Sequence, residues 1–281
     1  MSAREVYEMT GPAAVSGDWR RFLDLTRMLA ITDFKLRFFG SLLGYLWTLM
    51  RPLMLFGVLY VVFSQVVRLG DQVPFYPVVL LSAMILYFYF SEATTKAVTC
   101  VVQSENLVRK IQFPRLAIPL ASVGTVSLQF ALNLVVLLVF LALSGVKLHS
   151  SIVQLPLILA ALLALTVGTS MLLSAVYVVA RDVAPIWEVV IQTLFYATPI
   201  LYPIELLTRE SETLGRVAMA NPLAVIVQQM RHAVIDPTAP SAAAVIGGWW
   251  WMLVPAAITV ALLVAGYVVF DRMAPRIAEE L

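Results

Sequence analysis

The stretch LAIPLASVGTVSLQFALNLVVLLVFLAL, residues 116–143, contains no charged side chain over 28 positions. A helix needs about 20 consecutive, mainly apolar residues to cross the hydrocarbon core of a bilayer. The rest of the chain has the same character, since 61% of its 281 residues are hydrophobic and only 13% are charged. A soluble domain is about half apolar and a quarter charged. The composition therefore predicts an all-α integral membrane protein.

Further apolar runs lie on both sides of this stretch, separated by short segments with charged residues and prolines. The period-two alternation of a membrane β-barrel does not dominate in any of them. We predict a six-span domain over residues 39–271. Its six transmembrane helices are expected at about 41–67, 75–100, 116–143, 152–180, 185–201 and 249–270.

The basic residues are divided unequally between the two sets of loops. Twelve lysines and arginines fall on the side of the termini and of residues 104–115, and five fall on the other side. Cytoplasmic loops of membrane proteins carry an excess of Lys and Arg. We therefore expect the 104–115 loop and both tails, 1–17 and 272–281, to be cytoplasmic. The first tail is expected to be disordered, and it shows no signal-peptide pattern.

Residues 18–38 predict an amphipathic helix before the first span. Asp18 suits an N-cap, and apolar residues recur at helical spacing opposite most of the charged ones. The apolar face consists of Trp19, Phe22, Leu25 and Leu29. Such a helix beside a span can lie in the headgroup plane; a cap helix facing water is the alternative.

The external segment 202–248 is only intermittently apolar. Within it, NPLAVIVQQMRHAVI (221–235) is too short to span a bilayer, and short apolar runs often form re-entrant or interfacial segments. We expect a re-entrant pair of short arms at 199–207 and 221–235. A plain surface helix is the alternative.

The first two predicted spans contain three charged residues. Arg51 lies about ten residues into the first span. An intramembrane arginine faces a bundle interior or a wet cavity by default, or its long side chain reaches the headgroups. Glu92 and Lys96 are four residues apart, acid first, so we expect them to pair on one helix face.

Motifs of catalysis, metal binding and nucleotide binding are absent from the sequence. No G-x-x-x-x-G-K-[ST] loop occurs, His149 and His232 lack metal-ligand spacing, and Cys100 is the single cysteine. The net charge of +2 is too small to imply nucleic acid. Ser170 would need a nearby base to act as a protease nucleophile, and the sixth span has no histidine. The small residues at 168–171 are more typical of close helix packing. We expect a transport protein and no enzyme or metal site.

Four stretches occur in a fixed order over nearly the whole chain after residue 18. They are RFFGSLLGYLWTLMRPLMLFGVLYVVF (37–63), ENLVRKIQFPRLAIPL (105–120), ARDVAPIWEVVIQTLFYATPILYP (180–203) and NPLAVIVQQMRHAV (221–234). Their combination resembles the permease subunit of ABC exporters of the polysaccharide and polyol-phosphate export family, the type-2 ABC permeases. That family exports lipid-linked O-antigen, teichoic acid, capsule and galactan.

The resemblance implies a homodimeric pore in the bacterial inner membrane, with two separate ATP-binding subunits on the cytoplasmic side. The substrate would be an undecaprenyl- or decaprenyl-diphosphate-linked polysaccharide. The chain itself would hold no cofactor, because ATP and Mg²⁺ are bound by the partner subunit. An exporter of a drug or small lipid, or an autonomous secondary transporter or channel, is the alternative. Secondary transporters often contain internal repeats, and none is detected here.

The resemblance further implies that the 104–115 loop is the coupling element that enters the ATPase cleft. The residues expected to carry the coupling are Arg109, Lys110, Phe113, Pro114 and Arg115. Proline limits where helix can run, and aromatic and Arg residues commonly dominate interface energy.

Aromatic residues supply the candidate substrate pathway. Aromatic rings can hold the C–H faces of sugars, and Tyr adds a polar tip. Four consecutive aromatics at 87–90 cannot share one helix face, so some of them must look at a partner helix or a pathway. Padding of helix interfaces is the alternative for each ring. The candidates are Arg51, for the carrier diphosphate, with Tyr60, Tyr87, Phe88, Tyr89, Phe195, Tyr196 and Tyr202.

Overall fold

The computed structural model describes residues 19–38, 42–71, 73–105, 113–147 and 149–274. The regular structure of these residues is entirely helical, which confirms the all-α prediction. The helices are α1 (Trp19–Phe38), α2 (Leu42–Val61), α3 (Tyr76–Gln103), α4 (Ala117–Leu143), α5 (Leu155–Val179), α6 (Val183–Ala197), α7 (Ile204–Glu210), α8 (Glu212–Met219), α9 (Pro222–Met230), α10 (Ala242–Ile246) and α11 (Leu253–Met273). Short π-helical segments continue α2 (Val62–Val66) and α9 (Arg231–Ile235), and 3₁₀ turns precede α5 (Ser150–Gln154) and α11 (Trp249–Met252).

Four membrane-length apolar helices occur among the described residues, and they make the chain a multi-pass membrane protein. They are Tyr76–Gln103, Ala117–Leu143, Ser150–Val179 and Trp249–Met273, close to four of the predicted spans. Two further apolar helices are shorter, Pro52–Val66 and Val183–Ala197. The latter is about 22 Å long at 1.5 Å per residue, which is less than the thickness of a hydrocarbon core.

The fifth predicted span, 185–201, differs from the observed helix α6 at both ends. The helix begins two residues earlier and ends at Ala197, and Thr198 is extended with φ −95° and ψ 137°. Pro199 explains the early end, because the ring of a proline disfavours helical backbone at the residue before it.

The helix α3 lies at the centre of the bundle. Its buried residues point in all directions around the helix axis, including Leu80, Met84, Leu86 and Ala93. It packs against α2, α4, α5 and α6. A helix that is apolar around its whole circumference can bury all of its faces. The helix α3 is therefore the central element on which the other helices pack.

The helices α5 and α11 approach each other closely through two glycines. A Cβ atom added at Gly266 would lie 2.4 Å from the Gly168 carbonyl oxygen, and one added at Gly168 would lie 2.7 Å from the Leu263 nitrogen. Small residues allow membrane helices to bring their backbones into contact. This is the packing that the small residues at 168–171 predict.

The helix α1 lies against the bundle and contacts α4 along its length. Phe22 is 2% exposed, and Leu25 and Leu29 pack on the same apolar cluster. The hydroxyl of Thr125 donates to the Ala30 carbonyl at 3.2 Å. Three members of the predicted apolar face therefore cover protein, whereas Trp19 is 60% exposed.

Ion pairs tie α1 to α3. Arg37 Nη1 lies 2.9 Å from Glu92 Oε1, and Lys96 Nζ lies 3.9 Å from Asp33 Oδ2. The expectation that Glu92 and Lys96 pair with each other is wrong, because both face α1, where Asp33 and Arg37 present opposite charges at the same four-residue spacing. Arg37 also donates to Gln129 Oε1 of α4 at 3.1 Å.

Candidate transport site

The described part of the predicted coupling loop is buried against the bundle. Phe113 is 9% exposed and belongs to the apolar cluster that includes Phe22, Val178 and Phe270. Pro114 is half-buried. Arg109 and Lys110, which were also predicted for coupling, lie outside the described residues. The buried aromatic ring therefore anchors this end of the loop to the bundle.

Arg115 is 5% exposed, although its residue type suggests a surface contact. Its Nη1 atom is buried and has no hydrogen-bond partner among the described residues, and burial lowers the pKa of the guanidinium below its usual range. A buried, unpaired donor costs about 1–3 kcal/mol, and more when it is charged. Arg115 is thus buried, and an added hydrogen-bond acceptor near its Nη1 atom would stabilise it.

The structure brings four of the predicted pathway aromatics together between α3 and α6. The ring of Phe195 lies 5.1 Å from Tyr87, 6.5 Å from Phe88 and 5.4 Å from Tyr196, between centroids. Tyr87 is 3% exposed, and its hydroxyl donates to the Ile191 carbonyl. Tyr196 is 68% exposed. The cluster therefore has a buried side that joins the helices and an open side at Tyr196.

The remaining predicted pathway residues are distributed elsewhere. Tyr89 packs on Phe130 at 4.4 Å, with its hydroxyl 2.9 Å from Ser127 Oγ, and Tyr60 stacks on Phe56 at 5.9 Å. The Tyr89 ring therefore fills the interface between α3 and α4, whereas Tyr60 stacks on a ring of its own helix.

Tyr202 and Arg51 complete the predicted set. The Tyr202 hydroxyl donates to the Tyr196 carbonyl at 3.0 Å, so Tyr202 adjoins the α3–α6 cluster. Arg51 lies near the middle of α2, and its side chain is not among those that the structure describes.

The helix α6 has two chemically different sides. One side is fixed to α3, where Trp187 Nε1 donates to Thr94 Oγ1 at 3.2 Å and Ile191 is buried. Exposed side chains on the other side include Glu188, Gln192 and Thr193. Sequence reasoning missed these polar residues, although the four-residue spacing of Glu188, Gln192 and Tyr196 is a readable signal.

The helix α9 is buried within the protein and is therefore not a plain surface helix. Leu223, Ile226 and Met230 belong to the main core, which also contains α3 and α5 residues. Asn221 caps α9 by accepting from the Leu223 amide at 3.0 Å, and its Nδ2 donates to Thr198 Oγ1 at 3.0 Å. The cap thereby joins α9 to the end of α6.

A charged cluster follows α9. Arg231 is 5% exposed, its Nη1 is 2.8 Å from Glu205 Oε2 and its Nη2 is 3.8 Å from Asp236 Oδ2. These residues line a cavity of about 150 Å³ together with Arg209 and Thr238. Among the described residues, no group of three His, Cys, Asp or Glu side chains is placed to hold a metal ion.

Comparison with known proteins identifies the family. Residues 24–235 match the family described as ABC-2 type transporter. The chain is 30% identical over 216 residues to an O-antigen export system permease protein RfbA from Klebsiella pneumoniae, covering 76% of this chain and 82% of that protein. It is 26% identical over 249 residues to the RfbA of Myxococcus xanthus, covering 89% of this chain and 92% of that one. These matches confirm the predicted resemblance: the chain belongs to the ABC-2 type transporter family, as a permease of its polysaccharide export branch.

Proposed function

We propose that this chain is the permease subunit of an ATP-driven exporter that moves a lipid-linked polysaccharide across the cytoplasmic membrane. The observation that carries this proposal is its likeness to O-antigen export permeases over 82% and 92% of their lengths. ATP hydrolysis is assigned to a separate subunit, because the sequence has no phosphate-binding loop of its own.

The proposed topology has six spans, with α2 as the first and α6 as the fifth. Both termini and the 104–115 loop are cytoplasmic, as the unequal distribution of basic residues supports. The helix α1 lies along the cytoplasmic surface of the bundle at the membrane interface. The helices α7 to α10 lie on the external side, with α9 as a re-entrant helix. Its burial supports this, since polar backbone at membrane depth needs cover from protein or water.

Two copies of the chain enclose the conduit in this proposal, and two ATPase subunits dock at the 104–115 loops. Phe113 supports the docking surface from beneath, and Arg109 and Lys110 supply its charge. Tyr196 and Tyr202 offer rings to sugar C–H faces, and Arg51 binds the carrier diphosphate through charge-assisted hydrogen bonds.

Depletion of the chain in its native cell tests the substrate class. Export failure is expected to trap lipid-linked glycan in the inner leaflet, and chemical analysis of the extracted lipid would identify it. Purification of the tagged chain should recover an ATPase subunit. Accumulation of a small lipid or drug in place of a glycan would support the alternative exporter. Transport by the purified chain alone, without ATPase, would overturn the proposal.

A further inference from the structure

The helix α6 exposes polar groups on one side; among the membrane-length helices, α3 also exposes Glu92 and Thr95, whereas α4 and α5 expose no polar residue. Every exposed position of α4 and α5 is apolar, as for Val135 and Leu138 of α4. The exposed side of α6 carries Glu188, Gln192 and Thr193, with Tyr196 one turn beyond Gln192. The exposed polar residues lie on one side of α6, and Trp187 and Ile191 on the other side pack towards α3.

A lipid-facing position does not suit these side chains. Ionisable residues in spans are costly and almost always face a bundle interior or a water-filled cavity. Within the described residues Glu188 and Gln192 are exposed, whereas the Thr193 hydroxyl donates to the Val189 carbonyl of its own helix at 2.9 Å. Residues 188, 192 and 196 stand one above another on a helix, with about 6 Å of rise between successive members. They form a continuous polar strip that ends at the aromatic cluster.

We propose that Glu188 and Gln192 line the aqueous conduit and hydrogen-bond the hydroxyl groups of the passing glycan; this inference rests on the proposed function. A carboxylate accepts from sugar hydroxyls, and an amide both accepts and donates. The strip presents such groups one helical turn apart along the conduit. A glycan hydroxyl can therefore exchange its hydrogen bond to one residue for a hydrogen bond to the next. Tyr196 adds an exposed ring at the outer end of the strip.

Water accessibility tests the placement of the strip independently of any cargo. The native cysteine, Cys100, is buried and is replaced by Ala, and single cysteines are introduced as Gln192→Cys and Glu188→Cys. Val139→Cys is the matched control, because Val139 is 51% exposed on the apolar face of α4. The assembled transporter in proteoliposomes is treated with a charged, membrane-impermeant methanethiosulfonate.

The strip cysteines are expected to react at least about tenfold faster than Val139→Cys, because the reactive thiolate forms in water and not in lipid. Equal, slow rates at all three positions would overturn the inference. Such rates would place the exposed polar side of α6 against lipid or against the second copy of the chain.

Export then tests contact with the cargo. Glu188→Leu and Gln192→Leu should each lower glycan export several-fold with unchanged yield and ATPase binding, and Gln192→Asn should restore most of it. Val189→Leu, at a 63% exposed apolar position on the same helix, should export normally. Normal export by both polar-to-Leu variants would refute the cargo contact even where labelling is fast. Failure of the proposed function differs from both results, because the unsubstituted transporter would then move no glycan.

Discussion

The contact between α5 and α11 allows a quantitative prediction for the variant Gly266→Ala. The added Cβ would lie 2.4 Å from the Gly168 carbonyl oxygen and 3.2 Å from both the Leu172 nitrogen and the Met171 Cβ. The closest atom belongs to the backbone, so no side-chain rotation relieves the overlap. Since carbon contacts are optimal at about 3.5–4.0 Å, the two helices must separate by about 1 Å.

This separation loses contacts along the whole interface. A gap of about 0.5–1 Å removes roughly a quarter to a half of each dispersion contact across it, and overpacking of a core commonly costs about 1–3 kcal/mol. We expect Gly266→Ala to fall near the upper end, about 3 kcal/mol, because backbone atoms oppose each other. For a chain of this size, that corresponds to a Tm lower by about 6–12 °C.

Gly57→Ala in α2 is the matched control, because a Cβ added there meets nothing within 4 Å. Alanine favours helix over glycine by about 1 kcal/mol, so this variant should be neutral or slightly stabilised. Thermal unfolding of both purified variants in one detergent, followed by intrinsic fluorescence, makes the comparison. The double variant Gly168→Ala with Gly266→Ala should cost less than the sum of the single variants, since one separation relieves both overlaps. A melting temperature for Gly266→Ala within about 1 °C of that of Gly57→Ala would refute the close-contact reasoning.

Three further predictions concern the 104–115 loop, the charged cluster around Arg231 and the topology. Phe113→Ala should destabilise the permease by about 3–5 kcal/mol, as for other buried Phe truncations, and should also weaken ATPase co-purification about tenfold or more; normal melting with normal ATPase recovery would contradict both. Arg231→Met should lower the free energy of unfolding by about 3–5 kcal/mol, because it leaves two carboxylates without their partner. Arg209→Met, at an exposed position, should change it by no more than about 0.5 kcal/mol. Thermal unfolding measures both, and equal effects would show that the charged cluster does not stabilise the protein. In a Cys100→Ala background, Ser241→Cys should react with an impermeant reagent on intact cells and Gln112→Cys only after permeabilisation; the reverse pattern would invert the proposed topology.

The membrane-length helices were predictable because a bilayer fixes the length and polarity of a spanning helix. The 116–143 prediction differs from α4 by one residue, Leu116. The end of α6 was missed by four residues, although the signal was present in Pro199. Local chemistry was therefore sufficient for the elements, and the four-residue error at the end of α6 falls where a proline limits the preceding residue.

Partners between distant elements were less predictable. Glu92 and Lys96 were expected to pair together because their spacing is visible in one segment, yet Arg37 and Asp33 bind them from α1. The burial of Arg115 was likewise invisible, since it depends on tertiary packing that one segment of sequence does not show. Such contacts depend on how whole helices are arranged, and that arrangement is difficult to predict from one sequence.

Under the proposed function, the position of Phe113 suggests how docking at the 104–115 loop would reach the conduit. Its ring lies in one apolar cluster with Phe22 of α1, Val178 of α5 and Phe270 of α11, so a displacement of the loop bears on three helices besides α4. Val178 lies five residues before the start of α6, and the short link at 180–182 leaves little slack between α5 and α6. Because packed interfaces resist continuous deformation, movement of α5 would carry α6 and its exposed polar side with it. The proposed route from loop to conduit would thus pass through α5, the helix that packs closely on α11 at the two glycines.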